Sequence, residues 1–406
     1  MDRFPEREDA LKCTTTRDRP RPGGEMNTPQ SRGPTSEAER IASLDTIRGV
    51  AVLGILLMNS LAFGALSDAA YSNVSAGGVG QPLDWAVGIF MMVFVDQKMM
   101  ALFSLLFGVG VVIFAERAAA KGRRVVWLSL WRFALLGVLG FAHMLLWYGD
   151  ILLTYALCAP IVLLLRRLPG WLISLLGTVL VLVGPATAPF VQAEVNASAE
   201  GIGGLWFADS DTWAPVLETW LLAGGGGRAL GFMLIGVALY RLGIVQGERS
   251  TPYYRGLAVW GIGIGAAITA IAPVTYIASG WSSELAITGL IPIGVGLIPM
   301  ALGYMALIIL WSRSERGPLL AFRSAGRMAL TNYLSQTILG LATFGWLLFD
   351  VDVTRTVILA WVLAVWALQL WWSKWWLARF RFGPVEWAWR CATYRSWQPL
   401  RRARPG

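Results

Sequence analysis

One histidine, His143, is present in the 406-residue chain, and Asp150 follows it closely. Arg132, His143, Trp147 and Asp150 are separated by eleven, four and three residues, which places them on one helix face. If Gly149 breaks that helix, the carboxylate folds back onto the imidazole and raises its basicity, as general-base catalysis requires. The alternative is a histidine hydrogen-bonded between helices, with Asp150 capping the next helix. The pattern favours the catalytic interpretation.

A second polar face lies at the first apolar segment. Asp45, Arg48 and Asn59 are separated by three and eleven residues and therefore share one face of a helix. At 1.5 Å per residue, Arg48 and Asn59 are about 16 Å apart along the axis, so this face connects two compartments. A structural interpretation is also open, in which Arg48 reaches lipid phosphates, Asp45 favours the helix N-terminus, and Asn59 bonds a neighbouring helix.

Four more polar residues stand within or beside apolar segments. Asn332 and Gln336 are one helical turn apart, and they either bind a polar ligand or join helices. Lys98 and Arg228 stand before apolar runs. Each of these cations either binds an anionic acceptor or lipid headgroup, or extends its charged end towards the membrane interface.

The composition determines what surrounds these residues. The chain is 56% hydrophobic and 15% charged, whereas soluble domains are about 45–50% apolar and about 25% charged. We therefore predict an all-α, polytopic integral membrane protein whose main partner is the lipid bilayer. The net charge of +9 is assigned to cytoplasmic loops and not to a nucleic-acid partner. One histidine and three widely separated cysteines predict neither a metal site nor a structural disulfide.

Ten apolar segments come near the roughly 20 residues that cross a bilayer. They occupy approximately 46–66, 97–115, 125–147, 150–168, 171–190, 226–243, 257–279, 286–311, 326–349 and 354–377. The shorter pieces 83–95 and 212–223 are predicted to be interfacial or re-entrant, the second because Gly224 to Gly227 cut it off from the next segment. The ten-helix domain is expected to cover residues 41–380.

Lysine and arginine predict the orientation in the membrane. Loops 67–84, 148–150, 191–211 and 280–285 contain neither residue, and 350–355 contains only Arg355, so these five loops are predicted to be external. The alternate loops carry the cations and are predicted to be cytoplasmic, as are both termini. We therefore expect a multi-pass protein of the cell membrane.

Two terminal segments flank the apolar region. Residues 1–40 combine charges and prolines without an apolar run, which predicts a disordered cytoplasmic tail, and Met26 is an alternative start to Met1. Residues 381–406 combine arginines with tryptophans, which predicts an interfacial segment that anchors the C-terminus.

Five groups of residues, in this order, resemble the YeiB-like family of bacterial integral membrane proteins, also described as domain of unknown function 418. They are Arg40, Leu44-Asp45, Ile47-Arg48-Gly49 and Asn59; Leu102-Phe103-Ser104 and Phe107-Gly108; His143, Trp147 and Gly149-Asp150-Ile151-Leu152; Leu330, Asn332-Tyr333 and Gln336; and Gly383-Pro384, Glu386-Trp387 and Trp389-Arg390. The resemblance covers about residues 40–395 and implies no particular reaction.

The first of these groups is also similar, more distantly, to transmembrane acyltransferases such as the heparan-alpha-glucosaminide N-acetyltransferase family. Those enzymes move an acyl group from cytosolic acyl-CoA to an acceptor across the membrane. The resemblance implies active-site roles for Arg48 and Asn59. Their catalytic histidine corresponds to Ala70 here, so His143 would have to supply the imidazole from another helix.

Together, the polar faces and the resemblance predict a membrane acyltransferase. Acetyl-CoA is the first donor to consider, and the acceptor is an external sugar, lipid or small molecule with a hydroxyl or amine. The assigned roles are donor binding for Arg48, Asn332 and Gln336, general-base catalysis for His143 oriented by Asp150, and positioning of the thioester for Asn59 or Trp147. A transporter or exporter of a small metabolite is the alternative, a membrane scaffold is the third interpretation, and a homo-oligomer is open.

Overall fold

A computed structural model describes residues 42–209, 212–314, 317–348 and 351–402. The predicted N-terminal tail, including Met26, lies outside these described residues. Within them the protein is helical, and the extended pairing is limited to a single bridge between Phe380 and Arg401. The all-α, polytopic membrane class predicted from the composition is confirmed.

Fifteen α-helices make up the described part of the chain. Their bounds are α1 Ala42–Asn59, α2 Ala69–Ser72, α3 Pro82–Phe90, α4 Lys98–Ala120, α5 Val125–Met144, α6 Leu152–Leu165, α7 Gly170–Ala197, α8 Pro215–Arg241, α9 Thr251–Thr269, α10 Ile271–Ala278, α11 Ile291–Ser314, α12 Leu319–Arg327, α13 Ala329–Ala342, α14 Arg355–Arg379 and α15 Pro384–Tyr394.

Eight helical stretches of the described residues are long and apolar enough to cross a membrane. Two of the ten predicted spans are not among them. One corresponds to α6, whose 14 residues extend only about 21 Å at 1.5 Å per residue. The other corresponds to α13, which continues into the π-helical turn Thr343–Leu347. The count of ten and the placement of the termini therefore stay predictions.

The four glycines Gly224 to Gly227 do not interrupt the chain's helical structure. The sequence predicts a separate segment over 212–223, which is wrong, because α8 runs continuously from Pro215 to Arg241. Glycine weakens a helix by about 1 kcal/mol relative to alanine. In an apolar environment, however, a broken helix leaves backbone groups without partners, which costs more.

The other short segment, 83–95, forms a helix of its own. It comprises α3 and the π-helical turn Met91–Val95. Helical structure is interrupted at Asp96 and Gln97, where Gln97 has a φ of 62°, before α4 begins at Lys98. The apolar stretch Pro82–Ala120 is 39 residues long, about twice what one straight crossing needs.

The first helix lies in the middle of the fold. It packs against α4, α11, α12 and α13, while α9 packs on α11, α7 on α8, and α5 on α6. Small residues permit these close approaches. A Cβ placed on Gly108 of α4, for example, would lie 2.2 Å from the carbonyl oxygen of Met233 on α8. The buried apolar residues of α1, α4, α5, α6 and α8 form one large cluster.

The C-terminal helix is attached to this bundle through a carboxylate. Glu386 of α15 accepts hydrogen bonds from the backbone N–H groups of Leu330 and Thr331, at 2.7 and 3.0 Å, and from the Thr331 hydroxyl at 2.5 Å. These donors are at the first turn of α13, where N–H groups lack partners inside the helix. Burial raises the pKa of Glu386 above the usual value.

Candidate functional site

A histidine–aspartate pair is buried where α5 meets α6. Because α5 ends at Met144, the loop after it brings Asp150 back, and Oδ1 of Asp150 lies 2.7 Å from Nδ1 of His143. The side chains are 3% and 0% exposed. The second carboxylate oxygen accepts the backbone N–H of Leu153 at 2.8 Å, so Asp150 also caps α6. The predicted folding back of the carboxylate is confirmed, but the helix ends at Met144 and not at Gly149, so Trp147 and Asp150 do not continue the predicted helix face.

The other edge of the imidazole contacts α13. Nε2 of His143 lies 3.0 Å from the hydroxyl of Thr337, and the ring centroid of Tyr333 is 5.2 Å from that of His143. Trp147 lies 6.2 Å from the imidazole between ring centroids and donates its indole N–H to the carbonyl of Ala62 at 3.0 Å. Both imidazole nitrogens are therefore held by hydrogen bonds.

A glycine makes this arrangement possible. A Cβ on Gly140 would lie only 2.4 Å from the backbone nitrogen of Leu153, the residue whose N–H binds Asp150. The backbones of α5 and α6 therefore touch one turn before His143. Gly137, one turn earlier, has ordinary space, since its Cβ would lie 3.5 Å from that of Ala156.

A cavity of about 550 Å³ lies beside this pair. Of the residues singled out in the sequence, it is lined by Asn59, Trp147, Asp150 and Arg228. Its other walls come from helix ends next to the loops predicted to be external, which we call the external end of the bundle. His143 is behind Asp150 and is not among the lining residues. The structure thus brings together predicted residues from three separate segments, namely α1, the loop between α5 and α6, and α8.

The side chain of Asn59 makes no hydrogen bond within the described residues, although it is only partly exposed. It ends α1 at the cavity wall. A partly buried amide without a partner is costly unless a ligand or water bonds it. The interpretation that Asn59 joins two helices receives no support from the described contacts.

The cavity also contains polar residues that sequence reasoning missed. Tyr71 donates its hydroxyl hydrogen to Oδ1 of Asp96 at 3.2 Å, and Gln97 donates to the same oxygen at 3.1 Å. Burial raises the pKa of Tyr71 above its usual range. Arg355 is 1% exposed and donates to the carbonyl of Ala70 at 2.6 Å. Arg355 is the only cation in the five loops predicted to be external, a signal that could have marked it.

Another polar contact stands at the exposed rim of the cavity. The hydroxyl of Tyr148 donates to Asp68 at 2.6 Å. Burial, followed by this hydrogen bond, raises the pKa of Tyr148 above its usual range. Lys98 does not reach the cavity. Its ammonium group is fully buried and donates to the carbonyl of Met92 at 3.0 Å.

The opposite end of the bundle carries clustered arginines. Arg48 pairs with Asp45, three residues before it, at 3.2 Å. The guanidinium carbon of Arg132 lies 3.8 Å from the ring centroid of Trp389 and 4.6 Å from that of Phe114. Arg132 also experiences the charges of Arg48 and Arg390. We call Arg48, Arg132 and Arg390 the arginine cluster.

Asn332 and Gln336 are fully buried away from the cavity. Asn332 donates to the carbonyl of Ala325 and to the Ser373 hydroxyl, both at 3.1 Å. Gln336 donates to the carbonyl of Val52 at 3.2 Å and to the side-chain oxygen of Gln369 at 2.9 Å. These contacts join α13 to α1, α12 and α14, as the helix-joining alternative expects.

Apolar packing separates the two ends. Val52 stands between Arg48 and Asn59 on α1, and Leu136 stands between Arg132 and His143 on α5. Both belong to the same buried cluster and are 0% and 2% exposed. Apolar packing therefore lies between the arginine cluster and the histidine–aspartate pair. Among the described residues, no cluster of three or more potential ligands forms a metal site.

Comparisons with known proteins agree with this architecture. The family described as "Protein of unknown function (DUF418)" matches residues 239–396. The chain is 37% identical to the "Uncharacterized protein YeiB" of Escherichia coli, covering 89% of this chain and 98% of that protein. It is 29% identical to the "Uncharacterized protein YxaH" of Bacillus subtilis, over 90% and 97% of the two chains. No solved structure matches. The similarity of this chain to YeiB over nearly the whole length of both proteins shows that it belongs to the DUF418 family of YeiB-like membrane proteins.

Proposed function

We propose that the protein transfers an acyl group, acetyl in the simplest case, from cytosolic acyl-CoA to a hydroxyl or amine of an acceptor in the external cavity. The observation that carries this proposal is the 2.7 Å contact between His143 and Asp150, with the residue Asp150 at the cavity wall. A proton acceptor built from a buried imidazole and a carboxylate is what acyl transfer needs to activate a hydroxyl or amine.

The cavity reaches this pair at Asp150. Asp150 lines the cavity, but its side chain is 0% exposed and both of its oxygens are hydrogen-bonded, so we assign the carboxylate to orienting the imidazole and His143 to taking up the acceptor's proton. The acceptor's proton passes to this pair while its oxygen or nitrogen bonds the thioester carbonyl carbon. The carbon–sulfur bond then breaks, and the CoA sulfur takes the proton. Asn59 is placed to hydrogen-bond the carbonyl oxygen.

The donor's phosphates fit the other end of the bundle. The arginine cluster concentrates positive charge on the predicted cytoplasmic side, and guanidinium groups pair well with phosphate. Arg48 and His143 belong to faces that each extend about 16 Å from an arginine to a polar residue. The flexible arm of CoA likewise separates its phosphates, which would bind the arginine cluster, from its thioester, which would lie near the polar residues. We assign Asn332 and Gln336 to positioning α13, because both are engaged in contacts between helices.

Binding of acetyl-CoA to the detergent-purified full-length protein tests the proposal without knowledge of the acceptor. We expect saturable binding that weakens at least tenfold in Arg48→Ala. Arg255→Ala is the matched control, because Arg255 is exposed on α9 and lies outside the cluster. Release of free thiol from acetyl-CoA in native membrane vesicles then tests transfer. If neither acetyl-CoA nor longer acyl-CoAs bind, the proposal is wrong.

One observation favours a second function, the transport of a small metabolite. The cavity opens at one end of the bundle, and packed residues such as Val52 and Leu136 close the other end. A transporter in an outward-facing state has this arrangement. Uptake or efflux in vesicles that contain no thioester donor would support transport over acyl transfer.

A further inference from the structure

The cavity contains an arginine that makes no hydrogen bond or ion pair with the described residues. Arg228 lies on α8 directly after the four glycines and lines the cavity. Its Nε atom is buried and has no hydrogen-bond partner, and within the described residues its terminal nitrogens make no hydrogen bond or ion pair. A guanidinium group at membrane depth is costly unless something neutralises it. The ligand of this cavity therefore carries an anionic group.

The carboxylate of Asp96 lines the same cavity, and only one of its two oxygens accepts hydrogen bonds from the described residues. Oδ1 of Asp96 accepts from Tyr71 and Gln97, whereas Oδ2 makes no hydrogen bond within the part of the chain that the structure describes. Asp96 and Arg228 interact electrostatically, yet no ion pair joins them. The ammonium of Lys98 is also near Asp96, but it is buried outside the cavity and donates to Met92.

The other carboxylates of the cavity are less suited to bind a cationic group beside Arg228. Glu218, in the first turn of α8, is exposed to solvent, and it is not among the groups that act electrostatically on Arg228. Asp150 is occupied by His143 and by the backbone of Leu153. Asp68 accepts from Tyr148 at the exposed rim. Asp96 is therefore the carboxylate with an open oxygen next to an unpaired arginine. Opposite charges that stay apart in an apolar site leave one hydrogen-bonding position for each half of a dipolar ligand.

Apolar walls continue from this charged pair to the membrane-facing surface. Leu221 and Leu222 line the cavity and are 40% and 70% exposed. A Cβ on Gly224 or Gly225 would have no atom within 4 Å, so α8 leaves open space beside the cavity. The open space beside α8 could hold the alkyl chain of a lipid whose polar headgroup lies in the cavity. A free solute would occupy the cavity only.

We propose that the cavity binds a zwitterion, with its anionic group on Arg228 and its ammonium group on Asp96. Phosphoethanolamine is a compact probe that carries both groups, whether as a free solute or as the headgroup of a phospholipid. The claim that this zwitterion is the acyl acceptor rests on the proposed function. The claim that the cavity binds a zwitterion rests only on the contacts of Arg228 and Asp96.

Equilibrium binding of three probes to the purified full-length protein tests the pairing. Phosphoethanolamine carries both charges, inorganic phosphate only the anionic group, and ethanolamine only the cationic group. We expect phosphoethanolamine to bind at least tenfold more tightly than either half. Arg228→Gln and Asp96→Asn should each abolish this advantage. Arg255→Gln and Asp352→Asn are matched controls at exposed positions outside the cavity.

A second pair of measurements identifies the source of the ligand. In nanodiscs of phosphatidylglycerol, binding of soluble phosphoethanolamine is compared with binding in nanodiscs that also contain phosphatidylethanolamine. Several-fold weaker binding in the second case means that the lipid headgroup competes for the site, and equal binding means that a free solute is the ligand. Both outcomes support the zwitterion site.

Equal affinity for all three probes, or unchanged binding in folded Arg228→Gln and Asp96→Asn, would overturn the inference. A conservative Arg228→Lys variant, which should retain part of the affinity, protects the test if Arg228→Gln fails to fold. Thiol release from acetyl-CoA on the same preparations keeps the two proposals separate. Zwitterion binding without thiol release contradicts only acyl transfer, and thiol release without zwitterion binding contradicts only this site.

Discussion

Nδ1 of His143 and Oδ1 of Asp150 are 2.7 Å apart, although a continuous helix would hold the two residues about 10 Å apart along its axis. The end of α5 at Met144 removes that separation. The same loop places Asp150 at the N-terminus of α6, where its other oxygen binds the backbone of Leu153. The carboxylate of Asp150 thus orients an imidazole and caps a helix, while the residue itself lines the cavity.

We expect His143→Ala and Asp150→Asn each to lower acetyl transfer by about 10²–10⁴-fold, the usual contribution of general acid–base catalysis. Acetyl-CoA binding should be unchanged, because both residues are remote from the arginine cluster. Thr337→Val removes the other hydrogen-bond partner of His143 and should lower transfer by less than tenfold. Thiol release in membrane vesicles measures all three. Full activity of Asp150→Asn alongside loss in His143→Ala would show that the imidazole does not need the carboxylate to orient it.

Much of this architecture follows from patterns in the sequence. The membrane class follows from composition, and the shared face of Asp45 and Arg48 follows from helical periodicity. The helix face predicted from Arg132 to Asp150 holds only as far as His143, because α5 ends at Met144. The continuous helix through Gly224 to Gly227 did not follow, because propensity describes a residue in isolation, whereas the surroundings of α8 favour intact backbone hydrogen bonds.

The cavity residues that sequence reasoning missed were missed for one physical reason. Tyr71 comes from α2, and Asp96 and Gln97 come from the connection before α4. They meet Arg228 because α4 packs against α8. Contacts between distant segments have no period along the chain. Periodicity also could not decide between ligand binding and helix joining for Asn332 and Gln336, since both roles require the same residue types on the same face.

Two glycines on α5 offer a matched test of how His143 is positioned. Gly140→Ala should push α5 away from α6, because its Cβ would lie 2.4 Å from the Leu153 nitrogen. Overpacking of this kind costs about 1–3 kcal/mol. Gly137→Ala should be nearly neutral, since its Cβ would make an ordinary 3.5 Å contact. The thermal unfolding temperature and the rate of thiol release should both be lower in Gly140→Ala and unchanged in Gly137→Ala. Equal behaviour of the two variants would contradict the close helix contact.

The attachment of α15 should depend on pH. The pKa of Glu386 is higher in the folded protein than in the unfolded chain, because burial penalises its charge. The contribution of Glu386 to the stability of this attachment is therefore fully present at a pH below its pKa in the unfolded chain. It is lost as the pH rises through its pKa in the folded protein. Hydrogen exchange of Pro384–Tyr394 should accelerate beyond the intrinsic pH effect as pH rises through this range. Glu386→Gln should remove the excess, and a wild-type profile identical to that of the variant would contradict the prediction.

Donor binding should respond in opposite directions to two substitutions within one turn of α1. Arg48→Ala removes a phosphate partner, whereas Asp45→Ala removes the carboxylate that pairs with Arg48 at 3.2 Å. Arg48→Ala should therefore weaken acetyl-CoA binding about tenfold, and Asp45→Ala should strengthen it. Arg132→Gln should weaken binding similarly, because its guanidinium belongs to the same cluster. Filter binding at low and high salt provides the measurement, since charge pairing is screened by ions. Weaker binding in Asp45→Ala, with the fold intact, would show that the donor does not use Arg48.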